Sequence, residues 1–333
     1  LFVKKLILFS GREHRKKIIN LEIPNLEGRV NIVTSPFGPQ ITITRAKEKP
    51  LSIIELVKSG TLNCQLAAQF WLYVEGIGLK PANIIISGGP GAGKTTLLNA
   101  LFSFIPDKDR MVVIEDTLEL NTELDENCSR IESDEDTSLE DLVKNSLRMR
   151  PDRVIVGEVR GREAQDLMTA MNIGKYCMGT LHASTARETV MRMENEPMNV
   201  PAVLVNLVDV FVIMTRYSIN GRIQRIVGEL VETGGMEKKI VLLSSLWIYD
   251  VAKREFSESA ISSIFRDKLA RISGKTPMEI MEELRVRTNI IKALEERNIT
   301  DYKEVTLFCR KYANNPSEAL GELGLKREGL LGR

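Results

Sequence analysis

A glycine-rich stretch, Gly88–Thr95, contains the residue types that a phosphate-binding loop requires. It reads GGPGAGKT, fits the pattern G-x-x-x-x-G-K-[ST], and lies between the apolar run Ile84–Ile86 and a helix-like run that starts at Thr96. Glycines let the backbone curl tightly enough to direct several N–H groups at oxyanions. Lys94 would supply a charge for the outer phosphates, and the Thr95 hydroxyl is placed to bind Mg²⁺. A chance glycine turn is the alternative, but a strand before and a helix after the loop favour the phosphate-binding interpretation.

Two further apolar runs end in carboxylates. Met111–Ile114 has the pattern of a buried strand that leads into Glu115, and Val154–Val156 leads through Gly157 into Glu158. Acidic residues at the carboxyl ends of parallel strands lie where an α/β sheet binds its ligand. Beside a magnesium–nucleotide complex, such groups organise metal-bound water or act as a general base. Either carboxylate could be the base, and a solvated loop carboxylate is the alternative for Glu115.

Basic residues and a histidine flank the same predicted strands. The arginines suit a polyphosphate or a charged subunit interface, although each one alone could be a surface residue. His182 ends a strand-like run just before a helix start, where it could sense a phosphate or pass on a hydrogen bond. A purely structural histidine is the alternative, and no Cys, Asp or Glu stands at ligand spacing from it. The arginines are Arg148, Arg150, Arg160 and Arg162.

Composition limits the classes of function. With 333 residues, 43% hydrophobic side chains and a net charge of +1, the chain can bury a large core and has no overall field that attracts nucleic acid. Its apolar runs are shorter than the ~18 residues of a membrane-spanning helix, so membrane contact is expected to be indirect. The four cysteines form no C-x-x-C pair, which predicts reduced thiols in a cytosolic protein and no zinc site. The chain opens without a methionine, which suggests that residues are missing upstream.

The start of the chain has the pattern of a small sheet domain. Two β-branched runs, residues 29–33 and 41–45, are separated by a Pro/Gly turn and predict a hairpin. Arg29 and Arg45 close these runs and, judged on this segment alone, are more readily explained as surface residues. A charged stretch that ends at Pro50 predicts a linker before the next domain.

The rest of the chain alternates helical and strand patterns. Residues 51–79 predict two packing helices, and residues 138–141 resemble a capping box at the start of another. The acidic stretch 124–137 has no clear periodicity and is expected to be a solvated excursion. Two strands at the sheet edge are predicted for residues 222–249. Residues 257–323 predict a small helical bundle that packs against the core, with a partner-docking surface as the alternative.

Taken in this order, four motifs resemble those of the secretion and type IV filament ATPases. That family comprises the type II and type IV secretion motors and the pilus and archaellum motors, and its signatures are Walker A, an Asp box, Walker B and a His box. The matching residues are the loop 88–95, Ile114–Thr117, residues 147–152 with Gly157–Arg160, and Gly179–Ala183. Residues 194–201 and 298–305 look most similar to archaeal members.

The resemblance implies the fold class and the assembly. An α/β fold with a RecA-like P-loop ATPase core is expected, with a small PAS-like α+β N-terminal domain, of which only the last portion is present, and a C-terminal helical region. The implied domains are residues 1–48, 49–255 and 256–333. Members of the family form hexameric rings that bind ATP between the first two domains. The resemblance therefore implies a homo-hexamer at the cytoplasmic face of the membrane, in contact with a polytopic membrane platform protein and not with nucleic acid.

The resemblance also implies roles for the candidate catalytic residues. Glu115 would activate the attacking water while Glu158 acts through the water of the metal, or Glu158 would itself be the base. His182 would sense the γ-phosphate. Arg148 and Arg160 are assigned to the catalytic group because they flank the Walker B strand.

ATP and Mg²⁺ are the implied cofactors. Thr95 would bind Mg²⁺ directly and Glu158 through water, and zinc is not expected because the cysteine quartet of many bacterial members is absent. Arg29 and Arg45 match positions where the N-terminal domain of the family reaches the nucleotide, which now favours a functional role for both. The implied nucleotide-binding residues are Gly88, Gly89, Pro90, Gly91, Ala92, Gly93, Lys94, Thr95, Thr96, Arg29 and Arg45.

The function implied by the resemblance is ATP hydrolysis that drives assembly or secretion of a type IV-like pilus, an archaellum or a type II secretion filament. One alternative is a nucleotide-gated scaffold of the same machinery that does not hydrolyse ATP. Another is a nucleic-acid translocase on the same core. The near-neutral charge and the lack of an aromatic-basic stripe disfavour the translocase.

Overall fold

The computed structural model describes most of the chain, which divides into two compact units, Leu1–Pro50 and Leu51–Arg333. Only the backbone is described for residues 20–23, 28, 29, 44, 45 and 219. The described residues are 17–23, 28–45, 49–134, 136–219, 221–260 and 263–325, together with Val3, Lys5, Leu6 and Leu8.

The described residues of the first unit form a three-stranded antiparallel sheet in the order β1–β2–β3. Its strands are β1 (Ile18–Ile23), β2 (Gly28–Ser35) and β3 (Gly38–Arg45). The predicted hairpin is confirmed, because β2 and β3 pair up to Ser35 and Gly38 on either side of a two-residue turn. Gly38 has a φ of +107°, a conformation that favours glycine. Ile19, Val30 and Ile32 bury one face of this sheet.

The second unit is built around a mixed sheet whose nine described strands lie in the order β12–β11–β10–β9–β4–β8–β7–β5–β6. Strands β9, β4, β8, β7, β5 and β6 are parallel, whereas β9 to β12 pair antiparallel with one another. The strands are β4 (Ile84–Gly88), β5 (Met111–Glu115), β6 (Cys128–Glu132), β7 (Arg153–Val156), β8 (Tyr176–Leu181), β9 (Val210–Ile219), β10 (Arg222–Glu237), β11 (Ile240–Asp250) and β12 (Glu255–Glu258).

Helices cover both faces of this sheet, and the capping box predicted at residues 138–141 is confirmed. Ser52 and Ser138 each form a capping box with the residue three positions later, which satisfies two backbone N–H groups at the helix start. Pro277 and Pro316 stand in the first turns of helices, where a missing N–H costs nothing. The helices are α1 (Ile53–Lys58), α2 (Cys64–Glu75), α3 (Lys94–Leu101), α4 (Leu139–Ser146), α5 (Glu163–Asn172), α6 (Ala186–Glu194), α7 (Ala202–Val205), α8 (Ile264–Ser273), α9 (Pro277–Glu296), α10 (Tyr302–Asn314) and α11 (Pro316–Glu322).

Successive residues of the central strands face opposite layers. In β4, Ile84 and Ile86 belong to the hydrophobic cluster that includes α2, α3, α9 and α10, whereas Ile85 belongs to the cluster that includes α4, α5 and α6. Side chains alternate because a strand has a period of two residues. A strand covered on both faces is therefore apolar throughout, which explains why the sequence shows continuous apolar runs here.

The acidic stretch 124–137 is not the irregular excursion expected from the sequence. Residues 128–132 form β6, which pairs in parallel with β5 at the edge of the sheet. The prediction is wrong because an edge strand buries its side chains only partly, so its hydrophobic periodicity is weak. Asp125, just before this strand, is also buried and pairs with Arg310 of α10.

The C-terminal helices pack against the core, as the sequence predicts. The guanidinium group of Arg287 in α9 lies 4.9 Å from the ring centroid of Trp71 in α2. Its Nη1 is 2.6 Å from Oε2 of Glu75, and the ring of Tyr312 in α10 contacts Trp71 edge-on at 5.2 Å. A domain boundary at residue 255 stays a prediction, since β12 spans that position and pairs with β11.

Candidate functional site

The phosphate loop connects β4 to α3 and has no room for side chains at its first glycine. A Cβ on Gly88 would lie 2.5 Å from the carbonyl oxygen of Met214 in the neighbouring strand β9. Gly91 and Gly93 have φ values of +67° and +94°, which residues with side chains rarely adopt. Gly93 is the N-cap of α3, so the loop leads directly into the positive end of a helix dipole. This geometry fits a phosphate group.

The side chain of Lys94 folds back against the loop. Its side chain is 7% exposed, and its Nζ donates to the carbonyl oxygens of Gly88 at 3.0 Å and Gly89 at 3.2 Å. The same Nζ lies 3.3 Å from Nδ1 of His182. Burial lowers the pKa of Lys94, while the charges of Glu158 and Glu119 oppose this shift.

His182 connects the phosphate loop to the end of β7. Its Nε2 lies 3.0 Å from Oε1 of Glu158, and its Nδ1 faces the ammonium group of Lys94. An ammonium group only donates, so Nδ1 accepts and the proton resides on Nε2, which donates to the carboxylate. Burial lowers the pKa of His182, and the charge of Lys94 adds to this effect. The imidazole is therefore neutral at pH 7, and Lys94, His182 and Glu158 form a relay.

Glu115 is buried, and both of its carboxylate oxygens have hydrogen-bond or ion-pair partners. The residue is 2% exposed, and its Oε1 accepts from the backbone N–H groups of Glu119 at 2.9 Å and Leu120 at 3.0 Å. Its Oε2 lies 3.4 Å from Nε of Arg130 on β6. Burial raises the pKa of Glu115 despite these contacts. A Cβ on Gly157 would come within 2.9 Å of the Glu115 side chain, so glycine is needed there.

The loop after β7 is held by a second carboxylate. Oε1 of Glu163 accepts from the backbone N–H groups of Arg160 at 2.6 Å and Gly161 at 2.7 Å. The Arg160 side chain pairs with Asp116 and places its Nε 3.8 Å from Oε1 of Glu158. Arg160 therefore links the loops that follow β5 and β7.

Comparison with known proteins places this arrangement in a family. The sequence matches the family described as type II/IV secretion system protein over residues 12–297. This chain belongs to the type II/IV secretion system protein family. That match covers the first unit from residue 12 onward and the whole sheet of the second unit.

Relatives support this membership. The uncharacterized protein MJ0900 of Methanocaldococcus jannaschii is 31% identical over 291 residues, which is 83% of this chain and 52% of MJ0900. The conjugal transfer protein TrbB of Rhizobium radiobacter is 34% identical over 196 residues, 56% of this chain and 58% of TrbB. The chain thus spans little more than half the length of these curated relatives.

A solved structure shows the same fold. The X-ray structure of the Legionella pneumophila ATPase DotB matches with a TM-score of 0.50 and 19% identity, covering 86% of this chain and 72% of DotB. The expected α/β class with a RecA-like core and a helical C-terminal region is confirmed. No described helix of this secretion-family chain is long and apolar enough to cross a membrane.

The structure gathers most of the predicted site residues at one edge of the sheet. Glu115 is the last residue of β5, and Lys94, Glu158 and His182 follow the carboxyl ends of the neighbouring parallel strands β4, β7 and β8. This is the edge at which open α/β sheets bind ligands.

The predicted magnesium residues stand at the same edge. Thr95 is half-buried in the first turn of α3, and the carboxylate of Glu158 is 32% exposed. One hydroxyl and one carboxylate, completed by phosphates and water, suit Mg²⁺. Among the described residues, no cluster of three or more His, Cys, Asp or Glu side chains could hold a metal by itself.

Arg148 is not brought to this edge within one chain. Arg110, which directly precedes β5, donates from Nε to the carbonyl oxygen of Met149 at 2.9 Å and from its backbone N–H to Asp152 at 2.9 Å. The segment 148–152 therefore lies at the amino ends of the strands. The side chains of Arg29 and Arg45 lie outside the described part of the structure, which places only their backbones, in β2 and β3.

Sequence reasoning missed four residues at or beside the site. Glu119 is not among the predicted site residues, although its charge raises the pKa of Lys94 against the larger lowering by burial. Arg130 lies within the acidic stretch 124–137, which was not predicted to contain the strand β6. On the other side of the loop, Arg225 of β10 donates to the carbonyl oxygen of Gly91, and Arg216 of β9 lies near the same glycine. Glu119 follows the Asp box by two residues, which is the one signal that the sequence offered for any of them.

Proposed function

We propose that this protein binds and hydrolyses ATP with Mg²⁺, and that hydrolysis drives the assembly or secretion of a type IV-like filament. The observation that carries the proposal is the relay from Lys94 through His182 to Glu158. A γ-phosphate attracts Lys94, and any movement of its Nζ alters the hydrogen bonds of His182. The relay thus links occupancy of the loop to the carboxylate beside it.

Glu158 is the best candidate for the carboxylate that acts on water. It stands at the end of β7, remains 32% exposed, and lies beside the loop. Bound Mg²⁺ would neutralise charge on the phosphates, with Thr95 and Glu158 holding it. Glu119 is the second candidate, because it is exposed to solvent and its charge raises the pKa of Lys94 against the larger lowering by burial.

For Glu115 we favour a positioning role. Both of its oxygens are occupied by backbone N–H groups or by Arg130, and it is 2% exposed. These contacts fold the segment 116–120 back so that Glu119 is presented to the loop. Arg160 would steady Glu158 through its contact at 3.8 Å.

The proposal includes a ring of six subunits that works at the inner face of the membrane with a polytopic platform protein. Arg148 lies at the edge of the sheet away from the phosphate loop, so a catalytic role for it requires a neighbouring subunit. Such a contact joins different surfaces of two copies, which is the heterologous interface that closes into a ring. Arg29 and Arg45 are proposed to reach the nucleotide from the N-terminal unit, which would couple hydrolysis to domain movement.

The decisive experiment measures ATP turnover against protein concentration, with native mass determined in parallel. The wild type is compared with Glu158→Gln, Glu119→Gln and Glu115→Gln. We expect turnover to rise as hexamers form and to fall by about 10²-fold or more in Glu158→Gln. A confirmed hexamer that does not hydrolyse ATP, even with lipid and platform protein added, would leave the nucleotide-gated scaffold as the better explanation.

A nucleic-acid translocase is tested in the same assay. The relative TrbB is named as a conjugal transfer protein, so DNA is added in a separate series. We expect no stimulation, because the net charge of +1 provides no general attraction for phosphate backbones. Stimulation by DNA and not by lipid or platform protein would favour the translocase.

A further inference from the structure

Two arginines lie near the phosphate loop on its β9 side, away from His182, and one of them is hydrogen-bonded to it. The pairing of β9 with β4 ends at Met214, which lies opposite Gly88, the first residue of the loop. In the following strand β10, Nε of Arg225 donates to the carbonyl oxygen of Gly91 at 2.8 Å. The loop thus has a relay on its β8 side and the β9–β10 hairpin on its β9 side.

Both arginines approach the loop where it carries no side chains. A Cβ on Gly93 would lie 3.2 Å from Cδ of Arg225, so the arginine stem covers the N-cap of α3. A Cβ on Gly91 would lie 3.6 Å from Nη1 of Arg216. A side chain at Gly93 would crowd Arg225, one at Gly91 would only touch Arg216, and both positions have a φ that favours glycine.

The two arginines are direct neighbours across the hairpin. Arg216 of β9 pairs with Arg225 of β10 in the antiparallel register, so their side chains project from the same face. Like charges directly opposite each other destabilise an antiparallel pair. Both side chains are exposed, and no carboxylate among the described residues forms an ion pair with either one. An anion between them would offset this repulsion.

We propose that Arg216 and Arg225 form an arginine clamp that binds the phosphate chain of the nucleotide. Arg216 contacts the phosphates, and Arg225 positions the loop through the carbonyl oxygen of Gly91. The clamp rests on the proposed function, because it requires a nucleoside diphosphate or triphosphate in the loop. It adds two positive charges on the side of the loop away from His182.

The clamp is tested by titrating the full chain with a fluorescent ADP analogue. Arg216→Gln and Arg225→Gln are each expected to raise the Kd about ten-fold, the effect of losing one charge-assisted hydrogen bond. Arg222→Gln is the matched control, because Arg222 is exposed on the same strand and contacts neither the loop nor the clamp residues in the described structure. It should change the Kd by about two-fold or less. Arg225→Lys, which keeps the charge, should recover most of the affinity.

A second readout separates the clamp from a structural role. Because Arg216→Gln removes a repulsion, the free protein should melt at an equal or higher temperature than the wild type. The increase in melting temperature on adding ADP should be smaller in the variant. The double variant should lose less affinity than the two single variants predict together, since both arginines act on one phosphate chain.

The outcomes distinguish this proposal from the proposed function. Wild-type affinity in both single variants would overturn the clamp, and so would a fall in affinity equal to that of Arg222→Gln. If the wild type binds ADP but does not hydrolyse ATP, the proposed function fails, and the Kd values of the two arginine variants still decide the clamp. If the wild type binds neither nucleotide, both proposals fail.

Discussion

Nε2 of His182 lies 3.0 Å from Oε1 of Glu158, which joins the loops that follow β8 and β7. The other nitrogen of the ring faces Lys94, so one neutral imidazole connects the phosphate loop to a carboxylate. The backbone of His182 is held as well, because its carbonyl oxygen accepts from Nη1 of Arg192 at 2.6 Å. Contacts at both ring nitrogens and at the backbone therefore orient the imidazole. Four predictions follow from this site and from the packing around it.

The first prediction concerns pH. The pKa of His182 lies below its ordinary value of 6.5, chiefly because of burial, so the unfolded chain binds more protons than the folded one in the interval between the two values. The contribution of His182 to stability is therefore complete above pH 6.5 and is lost as the pH falls toward its folded pKa. We expect His182→Gln to weaken this pH dependence, as measured by urea unfolding across that interval.

ATP turnover should also decrease as the pH falls toward the folded pKa of His182. Protonated His182 would direct a second donor at Lys94, which breaks the relay. The acid limb of the wild-type pH profile should therefore be missing or shifted in His182→Gln. An unchanged acid limb would argue against the relay.

The second prediction asks whether Glu115 matters for its hydrogen bonds or for its negative charge. Glu115→Ala leaves the buried N–H groups of Glu119 and Leu120 without an acceptor and should lower the free energy of unfolding by about 1–3 kcal/mol. Glu115→Gln keeps an oxygen acceptor, and the raised pKa means that the negative charge is not favoured there. We therefore expect it to cost less than about 1 kcal/mol. Denaturant unfolding of both variants provides the measurement.

Turnover completes the comparison at Glu115. A positioning role predicts that Glu115→Gln retains most of the activity, whereas Glu158→Gln does not. Loss of activity in Glu115→Gln without loss of stability would return Glu115 to the role of general base.

The third prediction uses two adjacent glycines of the loop. Gly88→Ala would place a Cβ 2.5 Å from the carbonyl oxygen of Met214, a backbone atom that cannot move aside easily. We expect a loss of about 1–3 kcal/mol, the usual cost of overpacking. Gly89→Ala is the control, because nothing lies within 4 Å of its added Cβ. Thermal unfolding should show the control within about 0.5 kcal/mol of the wild type. Equal losses of stability in both variants would mean that close packing against β9 is not the reason for glycine at position 88.

The fourth prediction concerns the C-terminal helix α10. Arg310 is buried, pairs with Asp125, and donates to the carbonyl oxygens of Ile105 at 3.2 Å and Leu124 at 2.7 Å. Arg310→Gln leaves a buried carboxylate without its partner and should cost about 3–5 kcal/mol. Lys311→Gln is the matched control on the same helix. Its ion pairs with α11 are exposed to solvent, so Lys311→Gln is expected to leave stability almost unchanged. A small effect of Arg310→Gln in urea unfolding would contradict this account.

Much of the site could be read from the sequence because local patterns carry its chemistry. Gly88–Thr95 needs glycine at fixed positions, and the apolar runs before Glu115 and Glu158 mark buried strands whose ends meet at one sheet edge. The helix start at Ser138 was predictable for the same reason, since a capping box lies within four residues. These features are local, so one stretch of chain is enough to show them.

The tertiary structure decided what depends on residues far apart in the chain. Strand β6 is recognisable only by its pairing with β5, and that pairing brings Arg130 to Glu115. Arg216 and Arg225 are unremarkable charges in sequence, yet a hairpin more than 120 residues after the loop places them against its glycines. The sequence by itself determined which groups could bind phosphate and magnesium. Only the fold decided which of those groups are buried, which are joined by hydrogen bonds through His182 and which remain open to water, because burial and contact depend on the whole packed chain.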